Sequence, residues 1–258
     1  MGRLLSVCLQ HNWPVQWLDE LDSTNLEAHR RAVCEEYGPV WIAAKRQSAG
    51  RGRLGREWHS PEGNLAATAL FPFDSDIKLA PLVCFVAGMA IIDASEELGV
   101  PSGELKLKWP NDVRYEGSKL SGILIETGAM RHDGLWMAVG IGVNISTAPN
   151  IDQNTTCLED IVSGSPIAGE TFLDALSQAF SRRLKVLITS GFDSLRAEWL
   201  AKSEGLNNLV TVRSGDRVVS GIMTGMDESG ALVLQETSGA IRKVTAGDVE
   251  IVKSGSRS

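Results

Sequence analysis

Fourteen residues, Lys45 to Trp58, hold five basic side chains and three glycines in a chain whose net charge is −7. Arginine supplies a permanently charged planar fork that suits phosphate and carboxylate oxygens. Glycine lets the backbone take positive φ and come close to a ligand. Arg51, Arg53 and Arg56 are interleaved with Gly50, Gly52 and Gly55, a pattern that offers positive charge to an anion. Two phosphate motifs nearly fit it. Gly50-x-Gly52-x-x-Gly55 has dinucleotide spacing, but Pro61 and Gly63 stand where the required helix must run. Gly50-x-x-x-x-Gly55 has P-loop spacing, yet Arg56-Glu57 replace the Lys-Ser/Thr pair. Both fail. The plain alternatives are a solvated basic loop or an RGG-like nucleic-acid patch.

Other polar residues sit at the ends of apolar runs. Lys108-Trp109-Pro110-Asn111-Asp112 closes a short strand, because proline drives Trp109 out of helical space and the turn then presents Lys108, Asn111 and Asp112. Lys119 opens the strand Lys119–Glu126, which contains Gly122. A glycine inside a strand marks close approach of a ligand or another backbone. Gly140-Ile141-Gly142-Val143-Asn144 repeats that arrangement and ends in an amide. Near the start, Thr24 and Glu27 have capping-box spacing. The same helix start, with free N–H groups and hydroxyls, is suited to a polar ligand group.

The elements that must position these residues follow from periodicity. Val15–Leu18, Val40–Ala44, Leu65–Phe71, Leu105–Trp109, Lys119–Glu126 and Leu135–Ile145 read as strands. Leu26–Glu36, Ile77–Leu98, a stretch from Ser165-Pro166 to Ile188, and Ser194–Lys202 read as helices. Beyond Leu206 five short strands (Leu209–Val212, Val218–Thr224, Ala231–Leu234, Ile241–Val244 and Val249–Val252) suggest a small barrel.

Length and composition are those of an ordinary globular protein, with 258 residues, 43% hydrophobic and 22% charged. A pI near 5.2 argues against general nucleic-acid or anionic-membrane binding. Cys8, Cys34, Cys84 and Cys157 are scattered without a C-x-x-C pair, which suggests neither zinc nor disulfides and fits a reducing cytoplasm. No signal peptide is visible, and Met1-Gly2-x-x-x-Ser6 is a chance-level match to a myristoylation signal. No apolar run is read as approaching the roughly 18 residues of a membrane span.

Taken together, Asp22-Ser23-Thr24-Asn25, Gln47 through Trp58, Lys108-Trp109-Pro110-Asn111-Asp112, Lys119-x-x-Gly122-Ile123-Leu124-x-Glu126 and Gly140–Asn144 resemble, in order, the motifs of the biotin–protein ligases. The resemblance covers most of residues 17 to 145, and the region after residue 205 is similar to that family's small C-terminal barrel. It implies an α+β fold: a mixed, largely antiparallel sheet with packed helices, like a class II synthetase, plus an SH3-like barrel. It divides the chain into a catalytic domain, 1–205, a barrel, 206–253, and a tail, 254–258. It implies that biotin and ATP, with Mg²⁺, give biotinyl-5′-AMP and pyrophosphate, and that biotin then passes to a lysine of a carboxylase carrier protein.

By that resemblance Lys119, Arg51, Arg53 and Asp112 are catalytic. Ser23, Thr24, Asn25, Gln47, Gly50, Gly52 and Gly122, with Arg51, Arg53 and Lys119, hold biotin. Arg56, Trp58, Lys108, Asn111 and Asn144, with Arg53, hold ATP or the adenylate, and no residue is assigned as a metal ligand. Pro149 to Thr156 is expected to form an opposing lid. The first motif starts near Trp17, so a ligase without a DNA-binding domain or repressor role is expected. A homodimer is compatible with the resemblance. Leu54 departs from the basic residue that many members carry.

Overall fold

A computed structural model describes residues 13–150, 153–164 and 166–252. The Met1–Ser6 pattern, Cys8, Ile151, Asp152, Ser165 and the tail from Lys253 lie outside the described residues. Seven strands form one sheet: β1 (Val15–Leu21), β2 (Val40–Gln47), β3 (Leu65–Phe73), β4 (Leu105–Lys108), β5 (Asp112–Tyr115), β6 (Ser118–Ala129) and β7 (Leu135–Val143). Their spatial order is β1-β2-β3-β7-β6-β5-β4. Among the described residues only β1 and β2 pair in parallel in this sheet; every other neighbouring pair is antiparallel. The sheet is therefore mixed and largely antiparallel, as expected. The short strand β5 was not expected: Asp112 begins a strand where only a turn had been read.

Strand pleating sends alternate side chains to opposite faces. Trp41, Ala43, Leu65, Ala67, Phe71, Met137, Val139 and Ile141 face the main core. Helices α2 (Val83–Glu97) and α4 (Gly169–Ser190) cover that face, the short α3 (Leu158–Ile161) lies between them in the chain, and α5 (Asp193–Ala201) packs beside them. Trp13, Trp41, Phe71 and Phe180 form an aromatic cluster there, with centroid separations of 5.1 to 6.3 Å. The other face carries Ile42, Leu70, Trp136 and Ala138 under α1 (Thr24–Val33). Beyond α1 this second face continues with Thr68, Gly140, Gly142, Gly122 and Leu124. The candidate site residues singled out in the sequence gather around that open stretch.

Three helix expectations need correction. Ile77–Leu98 is not a single α-helix; Ile77–Leu82 is 3₁₀ and the α-helix begins at Val83. Pro81 lacks an N–H and cannot join an interior helical ladder, so the regular helix starts after it. The first helix ends at Val33, not Glu36, with Glu35 at φ 65°. Finally, Ile77–Glu97 is long and apolar enough to cross a membrane, with hydropathy 1.9, contrary to the absence of such a run read earlier. Its apolar window is 67% buried inside the protein, and it serves as the core's central helix.

The remaining strands, β8 (Leu209–Ser214), β9 (Arg217–Met226), β10 (Leu232–Gln235), β11 (Ile241–Val244) and β12 (Asp248–Ile251), form an antiparallel sheet of order β11-β10-β9-β8-β12. Its form agrees with the expected small SH3-like barrel. The connector joins the large sheet on the way in: Leu107 donates its N–H to Lys202 O at 2.9 Å, and Glu204 N–H donates to Leu107 O at 2.8 Å. On the far side, Trp109 Nε1 donates to Gly230 O at 3.0 Å. Gly230 has φ 83°, and a Cβ there would lie 2.4 Å from Phe85, so the β9–β10 hairpin seats directly on the large domain.

Candidate active site

The start of α1 is built differently from the capping box read in the sequence. Ser23 is the N-cap, without a side-chain cap bond. The Thr24 hydroxyl donates instead to Gln47 Oε1 at 3.2 Å, and that same oxygen accepts the Thr24 N–H at 2.8 Å. Glu27 pairs with Arg30 and Arg31. The end of β2 thus satisfies an orphan donor of the helix and fixes Gln47 against it. Thr68 Oγ1 on β3 lies 2.8 Å from Thr24 Oγ1 and 2.7 Å from Asn25 Oδ1. Asn25 Nδ2 donates to Glu126 Oε2 at 2.9 Å, and Glu126 lies 3.2 Å from Arg51. One polar chain therefore runs from Gln47 through the helix start to the basic loop.

Asp22 braces this corner from outside. Its carboxylate takes a two-point contact from Arg30 at 2.8 and 2.9 Å and accepts the Ser23 N–H at 2.7 Å. The Arg30 guanidinium holds the Asp22 carboxyl down at about 2. A folded-state value below the unfolded one adds stability above the unfolded value, and that stability is lost as pH falls through the folded value. The melting-temperature gap between wild type and Asp22→Asn is accordingly expected to be full above about pH 4 and to close towards pH 2. A gap that stays constant across that window in thermal melts would contradict this.

Paired glycines give the site its floor. Gly122 and Gly142 face each other across β6 and β7. A Cβ on Gly142 would lie 2.1 Å from the Trp58 ring, and one on Gly122 would lie 3.0 Å from it. A Cβ on Gly140 would lie 2.0 Å from Asn25 Oδ1. Close approach was expected at these glycines, and the structure shows what takes the space: Trp58 and Asn25. The Lys119 ammonium stands over Trp58, 5.5 Å from the ring centroid. Trp58 Nε1 is buried without a hydrogen-bond partner.

The basic loop is a folded hairpin. Arg51 bridges to Glu57, Gly52 N–H donates to Arg56 O at 2.7 Å, and Trp58 N–H donates to Gly50 O at 2.9 Å. Leu54 takes φ 57° at its tip and points into solvent. Arg53 donates to Asn111 Oδ1 at 2.8 Å and reaches Gly247 O at 3.5 Å. Arg56 pairs with Asp248, and Arg53 lies 3.9 Å from the same carboxylate.

Across the cavity, Lys119 and Asp112 form an ion pair at 2.9 Å with both side chains largely buried. Asp112 is placed there because β5 pairs it with Gly122 on β6. Asn111 Nδ2 donates to Ile123 O at 2.8 Å, which leaves its oxygen for Arg53. Burial pushes the Lys108 ammonium below the usual lysine range, and the Arg114 charge adds to this. Asn144 Nδ2 donates to Thr156 O at 3.0 Å, while its Oδ1 is buried and unpartnered. Thr156 N–H donates to Lys119 O at 3.0 Å, so the end of the expected lid is stitched onto β6. Asn64 supports this end from below, where its Oδ1 accepts the N–H groups of Ile145, Ser146 and Thr147.

Ser23, Thr24, Asn25, Gln47, Arg51, Gly52, Arg53, Arg56, Trp58, Lys108, Asn111, Asp112, Lys119, Gly122 and Asn144 all line one cavity of about 330 Å³. Gly50 lines an adjoining hollow on the far side of the loop. The cavity combines cations, amides, hydroxyls and a flat indole ring. Such a set can hold an anionic ligand in a fixed pose. Among the described residues no cluster of three or more His, Cys, Asp or Glu is placed to hold a metal ion.

Sequence reasoning missed Thr68, Asn64 and Asp248. Thr68 carried a faint signal as the one hydroxyl in an otherwise apolar strand. Asn64 follows Gly63 just before β3, a pair whose composition signals only a turn. Asp248 carried none, being 192 residues from Arg56.

Residues 18–144 match the profile of the Biotin/lipoate A/B protein ligase family, and residues 205–252 match that of the Biotin protein ligase C terminal domain. A biotin–[acetyl-CoA-carboxylase] ligase of Paracoccus denitrificans is 38% identical over 86% of this chain and 94% of its own. The bifunctional ligase/repressor BirA of Bacillus subtilis is 30% identical over 90% of this chain and 72% of its own. The solved structure of biotin protein ligase from Aquifex aeolicus in complex with biotin and ATP is similar with a TM-score of 0.76 at 27% identity. That match covers 93% of this chain and 99% of the other.

Proposed function

Since the chain belongs to the biotin protein ligase family and is a ligase, we propose that it activates biotin with ATP and transfers it to a lysine of a biotin carboxyl carrier protein. The observation that carries this reading is the single cavity in which Arg51, Arg53, Arg56 and the Lys119–Asp112 pair converge on the polar chain around Thr24, Asn25 and Gln47. In the first step a carboxylate oxygen of biotin attacks the α-phosphorus of ATP. The bond to the bridging oxygen breaks, and pyrophosphate leaves with the electron pair. Two anions must meet: unit charges 4 Å apart repel by about 4 kcal/mol at an effective dielectric of 20. Lys119 and the loop arginines offset that repulsion and stabilise charge on the departing phosphates.

Ser23, Thr24, Asn25 and Gln47 hold the polar ring of biotin, with Gly50, Gly52 and Gly122 giving the backbone room around it. Trp58, Lys108, Asn111 and Asn144 face the nucleotide, and the unpartnered Asn144 Oδ1 is suited to an amino donor of a base. Magnesium bound together with ATP would supply charge neutralisation to the triphosphate. In the second step the carrier's ε-amine attacks the acyl carbon, AMP leaves, and the amine gives up a proton. Asp112, 2.9 Å from Lys119, orients that ammonium against the acyl phosphate and receives the proton. The acceptor in this reading is the carrier of an acetyl-CoA carboxylase, and the setting is the cytoplasm.

The test is exchange of pyrophosphate into ATP with biotin, with lipoate and with neither. Exchange with biotin alone is expected. Exchange with lipoate alone would move the chain to the sister activity in its family, and silence with both would remove the adenylation step.

A further inference from the structure

The barrel reaches the cavity with one carboxylate. Asp248 opens β12, is half-exposed, and lines the cavity together with Glu250. It pairs with Arg56 and lies 3.9 Å from Arg53, whose second nitrogen reaches the carbonyl of the preceding residue, Gly247, at 3.5 Å. Gly247 has φ 150°, and a Cβ on it would lie 2.7 Å from Arg213 O, so this corner is held tightly against β8. The barrel in turn is seated on the large domain through Trp109 and Gly230. Asp248 is therefore presented to the basic loop from a rigid base.

The same two guanidinium groups face the phosphates in the reading above, on which this inference rests. A donor edge engaged by a carboxylate is not free for a phosphate oxygen, and the carboxylate repels phosphate directly. We propose that Asp248 is a positioning residue that competes with polyphosphate for Arg53 and Arg56, weakening the hold on pyrophosphate so that product leaves. Asp248 thereby gives the barrel a part in the chemistry, acting through the arginines and not on biotin.

The experiment measures binding of inorganic pyrophosphate by calorimetry to the full chain as wild type, Asp248→Asn, Arg56→Gln and the double variant. Tryptic cleavage after Arg53 and Arg56 is followed in parallel without added anion. Asp248→Asn is expected to bind pyrophosphate roughly three- to tenfold more tightly, the scale of losing one or two exposed ion pairs. It should also be cut faster in the loop, because the arginines lose their anchor. In the Arg56→Gln background the gain should shrink. Asp248→Ser, which removes the charge with a smaller side chain, must show the same change. Equal or weaker pyrophosphate binding in Asp248→Asn and Asp248→Ser overturns the proposal. Because this readout needs no biotin, it stands or falls separately from biotin-dependent exchange.

Discussion

Replacing Lys119 with alanine is expected to lower biotin-dependent pyrophosphate exchange by about 10²- to 10³-fold, the scale of losing one preorganised charge-stabilising donor. The loss should appear mainly in kcat, because the ammonium acts most strongly where charge develops on the transferring phosphoryl group. Its setting makes it hard to replace. The Lys119 side chain is 14% exposed, pairs with Asp112 at 2.9 Å and stands over the Trp58 ring. Alanine also strands Asp112 in a largely buried position, and breaking a buried pair by removing one partner costs about 3–5 kcal/mol. The two effects can be separated. Lys119→Ala with Asp112→Asn should recover thermal stability without recovering exchange, whereas Lys119→Arg should keep part of the exchange. Exchange within threefold of wild type in Lys119→Ala would end the assignment.

Gly142→Ala is the second large effect, expected to reduce exchange by about a hundredfold, as a misplacement of roughly 1 Å in a catalytic group does. The added methyl would sit 2.1 Å from the indole of Trp58, so the ring has to move. Trp58 also closes the basic loop through its N–H bond to Gly50 O. Displacing the ring therefore shifts the loop that carries Arg51, Arg53 and Arg56. Overpacking of this kind costs about 1–3 kcal/mol, so melting should fall by a few degrees while exchange falls far more. Trp58→Phe in the Gly142→Ala background should restore stability by shortening the ring. Full exchange at an unchanged melting temperature would show that the glycine floor does not position the loop.

Local pattern carried much of this protein. Apolar spacing marked α2 and α4, and alternation with turn residues marked the five barrel strands to within a few residues. Gly191, the glycine that ends α4, has φ 79°. These features depend on burial periodicity and on backbone conformations open to single residues, which neighbours in the chain decide. The ordered motifs likewise pointed to the right family, because a strand end or a glycine-rich loop keeps its chemistry wherever the sheet places it.

What local pattern could not supply was pairing. Thr24 had the spacing of a cap, but a hydroxyl goes to its best available acceptor, and only the β2 register puts Gln47 there. The strand glycines announced a close approach without naming Trp58, which comes from a loop more than sixty residues away in sequence. Asp112 met Lys119 because β5 forms and pairs with β6. Asp248 met Arg53 and Arg56 only because the barrel docks through Trp109 and Gly230. By itself the sequence determined most of the elements, though not β5 or the exact helix bounds, and the inventory of reactive groups. The tertiary structure alone decided which of those groups share a cavity, because sheet register and domain docking are set by packing between residues that the chain keeps far apart.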